Sequence, residues 1–246
     1  MSPQRRSAVV AGTFFVVAAV TAVVALALYQ PLLGDPAYVL GAGADTRVLW
    51  GALLEVVLAA CCIGTAVTLY PVVKRQDEGV ALGYVCGRLL EAAVIVVGVV
   101  SVLAVVSLRR GTTAGGVPGG ADDGARVAVA EALVALHDWT FLIGPGLVIG
   151  VNSLLLAHLV YRSRLVPRWI AVLGLVGGPV VLASSTAVLF GLYEQVSTVA
   201  GLAALPVTAW EMSLAVYLVA KGFRPSPVLV PGPVPPVARS AVTAAA

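Results

Sequence analysis

Six apolar runs divide the chain, at about Ala8–Tyr29, Val48–Val73, Val80–Leu108, Ala132–Tyr161, Trp169–Tyr193 and Val199–Ala220. Each reaches the roughly 20 residues that a helix needs to cross a hydrocarbon core about 30 Å thick. The third and fourth runs exceed that length, which predicts tilt or projecting ends. In lipid a helix satisfies its backbone hydrogen bonds within one segment. The pattern therefore predicts an all-α, polytopic membrane helix bundle with six transmembrane helices. Arg5 and Arg6 before the first run resemble the basic start of a signal peptide. The run is long for that role and no clear small-residue cleavage site follows, so a retained first helix is the better reading.

Composition strengthens this picture. The chain is 60% hydrophobic and 11% charged, where soluble domains carry about 25% charged residues. Its net charge of +3, with no basic run interleaved with aromatics, argues against nucleic acid as a partner. Cys61, Cys62 and Cys86 all lie in apolar runs, so no disulfide framework is expected. Ala, Val and Gly dominate and Arg outnumbers Lys, a bias that suggests a bacterial plasma membrane protein.

The basic residues orient the bundle. With the N-terminus inside, the inner segments carry Arg5, Arg6, Lys74, Arg75, Arg162, Arg164, Arg168, Lys221, Arg224 and Arg239. The outer segments carry Arg47, Arg109, Arg110 and Arg126, so ten basic residues face four and both termini are expected to be cytoplasmic. The connections leave no room for a soluble domain. "GTTAGGVPGGADDG" (Gly111–Gly124) reads as a flexible outer loop, and "PSPVLVPGPVPPVARS" (Pro225–Ser240) as an extended Pro-rich tail. The chain divides into one transmembrane domain, residues 1–223, and a disordered cytoplasmic tail, residues 224–246.

Inside the apolar runs, six ionisable residues stand out. By helical rise, Arg88 lies about 12 Å and Glu91 about 16 Å from the inner end of the third span. Glu55 lies about 10 Å, Glu211 about 18 Å, and His137 and Asp138 about 8–9 Å from the outer ends of theirs. Charges at such depths cost roughly 2.5–3.5 kcal/mol each on insertion scales, so they need compensation. Small residues recur beside them: Gly83, Gly87 and Gly98 with Glu91; Gly51 and Ala59 with Glu55; Thr208 and Ala215 with Glu211. Small residues mark close helix approaches, so the acids should point at neighbouring helices. Glu55, Arg88, Glu91, His137, Asp138 and Glu211 form the candidate polar cluster. One guanidinium faces Glu55, Glu91, Asp138 and Glu211, so at least one of these acids is expected to hold a proton at neutral pH. Such a site suits proton relay or cation binding. A static helix-locking network needs the same feature. His137 and Asp138 beside Trp139 also read as an interfacial start to the fourth span, and Asn152 as an interhelical hydrogen bonder. Pro145 and Pro179 should kink their helices.

No nucleophile elbow, zinc-protease helix, phosphate loop or dinucleotide fingerprint is present, and no cofactor or metal is implied. Cys61 and Cys62 read as apolar fillers, because no partner lies at metal spacing.

"GRLLEAAV" (Gly87–Val94), "LHDWTFLIGPGLVIG" (Leu136–Gly150), "RSRLVPRWIAVLGLVGG" (Arg162–Gly178) and "WEMSLAVYLVAKGF" (Trp210–Phe223) resemble a family of bacterial multi-pass proteins, domain of unknown function 4386. The resemblance runs from Ala11 to Phe223 and implies a membrane location without an activity. Two functions remain in contention. One is a protein that handles a small molecule or ion, linked to protons through the cluster. The other is a membrane-protein partner or assembly subunit in which the cluster only fixes packing. An intramembrane enzyme is a third, unsupported by motifs.

Overall fold

The computed structural model describes residues 1–41, 44–113 and 123–229. Its helices are α1 (Pro3–Leu33), α2 (Asp45–Val73), α3 (Glu78–Thr113), α4 (Asp123–Phe141), α5 (Ile149–Ser163), α6 (Arg168–Leu189) and α7 (Thr198–Ala220). A π-helical turn, Leu142–Val148, fuses α4 and α5 into one span, so six helices are long and apolar enough to cross a membrane. No strand occurs among the described residues. The protein is an all-α integral membrane protein.

Local chemistry sets the helix ends. The Ser2 and Ser197 hydroxyls accept hydrogen bonds from the amides of Arg5 and Ala200, occupying donors that the first turns of α1 and α7 leave unpaired. The fifth span stops at Leu189, short of the expected Tyr193. There the chain turns at Gly191, whose φ is +72°, and the Tyr193 hydroxyl donates back to Ser184 Oγ at 2.8 Å. The expected kink at Pro145 takes the form of the π turn. Proline lacks an N–H and crowds the carbonyl four residues earlier, and a widened turn relieves both.

The spans close into a ring. Each packs on its sequence neighbour, and α7 returns to α1. Without a hydrophobic drive between helices in lipid, close approach of small residues takes over. A Cβ on Gly178 would lie 2.8 Å from the Gly150 carbonyl oxygen, and one on Gly12 would lie 2.7 Å from that of Ala215. Arg5 completes the closure. Its guanidinium donates to the carbonyls of Leu218 (2.8 Å), Val219 (2.7 Å) and Ala220 (3.2 Å), acceptors that the end of a helix leaves unpaired. The start of α1 and the end of α7 thus share one end of the bundle, called here the near end.

Two buried apolar clusters fill the ring. One, with Leu69, Leu156, Trp210 and Leu214, lies toward the near end; the other, with Leu32, Val48, Val99 and Val102, lies toward the far end. The polar groups lie between them. At the far end Asp45 accepts hydrogen bonds from Arg109 Nε (2.8 Å), Arg110 Nε (2.9 Å) and the Tyr38 hydroxyl (2.9 Å). This ties α2, α3 and the short turn Pro36–Val39 together. Burial, then the bond to Asp45, pushes the Tyr38 phenol up to about 12.

The first residues after α7 are hydrogen-bonded to the end of α5. The Ser226 hydroxyl donates to the Ser163 carbonyl at 2.5 Å, and the Arg224 amide donates to that of Leu165 at 2.8 Å. These two donors meet carbonyls exposed where α5 ends at the left-handed Arg164, and that holds the segment down. The centre of the Gly-rich loop and the tail beyond Leu229 lie outside the described residues.

Candidate functional site

α3 carries Arg88 and Glu91 one turn apart, a spacing that places both on one helix face. Arg88 Nη1 meets Glu91 Oε2 at 3.1 Å, and Nη2 reaches across to Glu211 Oε1 of α7 at 2.8 Å. Arg88 Nε donates to the Tyr84 hydroxyl at 3.3 Å, which in turn donates to Thr65 Oγ1 of α2 at 3.3 Å. The guanidinium also lies over the ring of Phe15, 5.3 Å from its centroid. From α5, Asn152 Nδ2 donates to Glu91 Oε2 at 2.8 Å. Gly87 admits that side chain, since any Cβ there would overlap Asn152 Oδ1. A buried cation thus holds two carboxylates and links α3, α5 and α7, which compensates the cost of ions at this depth.

Glu55 belongs to a second group. Its Oε2 accepts a hydrogen bond from the Tyr29 hydroxyl of α1 at 3.0 Å, while Oε1 lies 3.9 Å from His137 Nε2 of α4. Tyr29 and His137 meet edge to face, ring centroids 5.4 Å apart. Gly51 makes room for the Tyr29 ring, and Gly98 for Thr140 and His137. His137 is buried, whereas the Asp138 side chain, 3.6 Å from His137 Nδ1, is 59% exposed.

A cavity of about 210 Å³ joins the groups. Glu55, Arg88, Glu91 and Glu211 line it, within walls supplied mostly by apolar side chains of α1, by Phe141 and by Pro145. Val23, one of the α1 residues that line it, is 71% exposed. A smaller cavity of about 10 Å³ separates Glu55 from His137.

The six sequence candidates therefore fall into two groups across one cavity. Thr208 does not join them. It is exposed and donates to the Ala204 carbonyl of its own helix at 2.9 Å, while Val207, Trp210 and Leu214 form the buried face. Sequence reasoning also missed Phe15, Tyr29, Thr65 and Tyr84. Cys61, Cys62 and Cys86 are free thiols, and among the described residues no group of three or more His, Cys, Asp or Glu side chains could hold a metal.

A model of the family described as Domain of unknown function (DUF4386) matches residues 10–222. The chain belongs to the DUF4386 family. The matched stretch contains both polar groups and all of the spanning helices except the start of α1, so the site is built within the DUF4386 region. Neither the curated proteins nor the solved structures provide a match.

Proposed function

We propose that this DUF4386 protein binds a small, largely apolar organic cation in the main cavity and handles it in exchange with protons. One observation carries the reading: three carboxylates and a single guanidinium line a cavity whose other walls are mostly apolar. Arg88 is bonded to Glu91 and Glu211, which leaves negative charge for a ligand to meet. Glu211, 18% exposed at its side chain, is the natural contact for the cationic head. The apolar walls and the exposed Val23 suit a ligand that arrives sideways from the bilayer.

Calorimetric titration of the full chain in nanodiscs tests this with three probes that share one ring: benzyltrimethylammonium, benzyl alcohol and phenylacetate. The cation should bind at least about tenfold more tightly than the other two, and Glu211→Gln should abolish that preference. Equal affinity for all three, or preference for the anion, overturns the reading. A cluster that only locks helices would bind none of them.

The near end is proposed to face the cytoplasm of a bacterial plasma membrane, supported by the ten-to-four distribution of Lys and Arg. On a cysteine-free background, single cysteines at the exposed positions 78 and 164 should be protected from an impermeant thiol reagent in intact cells, and one at 196 should react. The reverse pattern would invert the orientation.

A further inference from the structure

We propose that Glu55, one water, His137 and Asp138 form a proton relay from the main cavity to the far surface. The relay uses the cavity of the proposed function but does not depend on what that cavity binds.

The geometry begins at the small cavity. Its volume of about 10 Å³ is close to the minimum that admits one water, and it is lined by Glu55, His137 and Thr140. A water there needs two to four polar partners. The Glu55 carboxylate, the His137 ring and the Thr140 hydroxyl oxygen provide them. Glu55 Oε1 and His137 Nε2 are 3.9 Å apart, too far for a direct hydrogen bond, and a water about 2.8 Å from each would sit about 2 Å off their line. Glu55 lines both cavities, so it stands at the junction.

The outward half depends on the other ring nitrogen. His137 Nδ1 is buried and has no hydrogen-bond partner, a costly arrangement for an imidazole. Asp138 Oδ1 lies 3.6 Å away on a largely exposed side chain, and a small rotation closes the gap. The other titratable groups near this pair are Tyr29, whose hydroxyl is engaged by Glu55 and whose ring meets His137 edge-on, and Asp35, Tyr38 and Glu131, which line with Asp138 a cavity toward the far end. From α3 only Ile95 and Gly98 line the small cavity, neither of which can titrate.

The transfer balances. A protonated Glu55 gives its proton to the water as the water gives one of its own to His137 Nε2. The imidazolium then releases its Nδ1 proton to the Asp138 carboxylate, which passes it to solvent. Glu55 is left ionised and the ring neutral, as the tautomer that carries its proton on Nε2. Imidazole suits this task because its two nitrogens accept and release on opposite edges.

The test follows the imidazole itself. In the full chain carrying His158→Gln, His137 is the sole histidine, and ¹⁵N-histidine NMR in nanodiscs reads its exchange with water. The His137 N–H should show a direct water cross-peak and exchange rapidly. Asp138→Asn, at an exposed site, should slow that exchange by about tenfold or more. Gly98→Ala, whose Cβ would fall 2.5 Å from Thr140 Oγ1, should remove the water cross-peak by filling the small cavity. An imidazole shielded from water for hours overturns the relay, as does an exchange rate unchanged in Asp138→Asn. Because no ligand takes part, failure of cation binding leaves this result readable.

Discussion

Arg88 and Glu55 line the same cavity, yet they are held in opposite ways. Arg88 has ion pairs on two sides, and those bonds, with Asn152 on Glu91, engage α3, α5 and α7. Glu55 has one direct hydrogen bond, from Tyr29, and a water-sized gap toward His137. A guanidinium is permanently charged, so burying it requires immediate and complete compensation. A carboxyl group can take or leave a proton, so loose contacts suffice. The first group is bonded across three helices, and the second by one direct bond beside a small cavity.

The largest test of this contrast is Arg88→Leu. It leaves Glu91 and Glu211 buried without their shared cation, and breaking such a pair from one side costs about 3–5 kcal/mol. Unfolding in detergent should show that loss, with partial recovery when Glu91→Leu is added. If Tyr29→Phe destabilises as much as Arg88→Leu, the two groups are equally structural and the contrast fails.

Gly87→Leu should come next. Its side chain would displace Asn152 from Glu91, and overpacking of this kind costs about 1–3 kcal/mol in the same assay. A variant that melts like the parent would show that Asn152 contributes nothing to the locked group. Tyr29→Phe removes the one direct bond to Glu55 and should cost about 0.5–1.5 kcal/mol.

The far-end group gives the most selective effect, confined to high pH. Tyr38 titrates at about 12 in the fold against about 10 when unfolded, so the folded state holds its proton over that interval. Stability should then fall as pH rises from about 10 to 12 and be unaffected by this group below about 10. Tyr38→Phe should flatten that slope in high-pH melts. A slope unchanged in the variant would assign it to another group.

Much of the architecture was legible because lipid imposes a severe rule: about 20 apolar residues or no span. The pairing of Arg88 with Glu91 follows from helical spacing, and the nearness of Glu211 follows from depth. The partnership of Glu55 with His137 was not legible. It joins helices far apart in sequence, and depths counted from uncertain ends cannot fix a register of one turn. Tyr29 and Tyr84 escaped notice because tyrosine near a span end reads as an interfacial anchor. Thr208 misled for a related reason. A helix apolar on all sides offers no amphipathic contrast, so small residues alone cannot say which face meets protein.

The two ion pairs of Arg88 also differ in when they can form. Glu91 follows three residues later, but Glu211 is 123 residues downstream. At the ribosome's ~5–20 residues per second, about 6–25 s pass between the two. During that interval α3 enters the membrane with its guanidinium and only one acid to neutralise it. On this order of synthesis Glu91 should be the carboxylate that eases Arg88 into the bilayer, with Glu211 joining once α7 packs against α3. In a translocation assay on chains halted before α7, Glu91→Ala should lower insertion of α3. If insertion is unchanged, Arg88 enters without its neighbour's help.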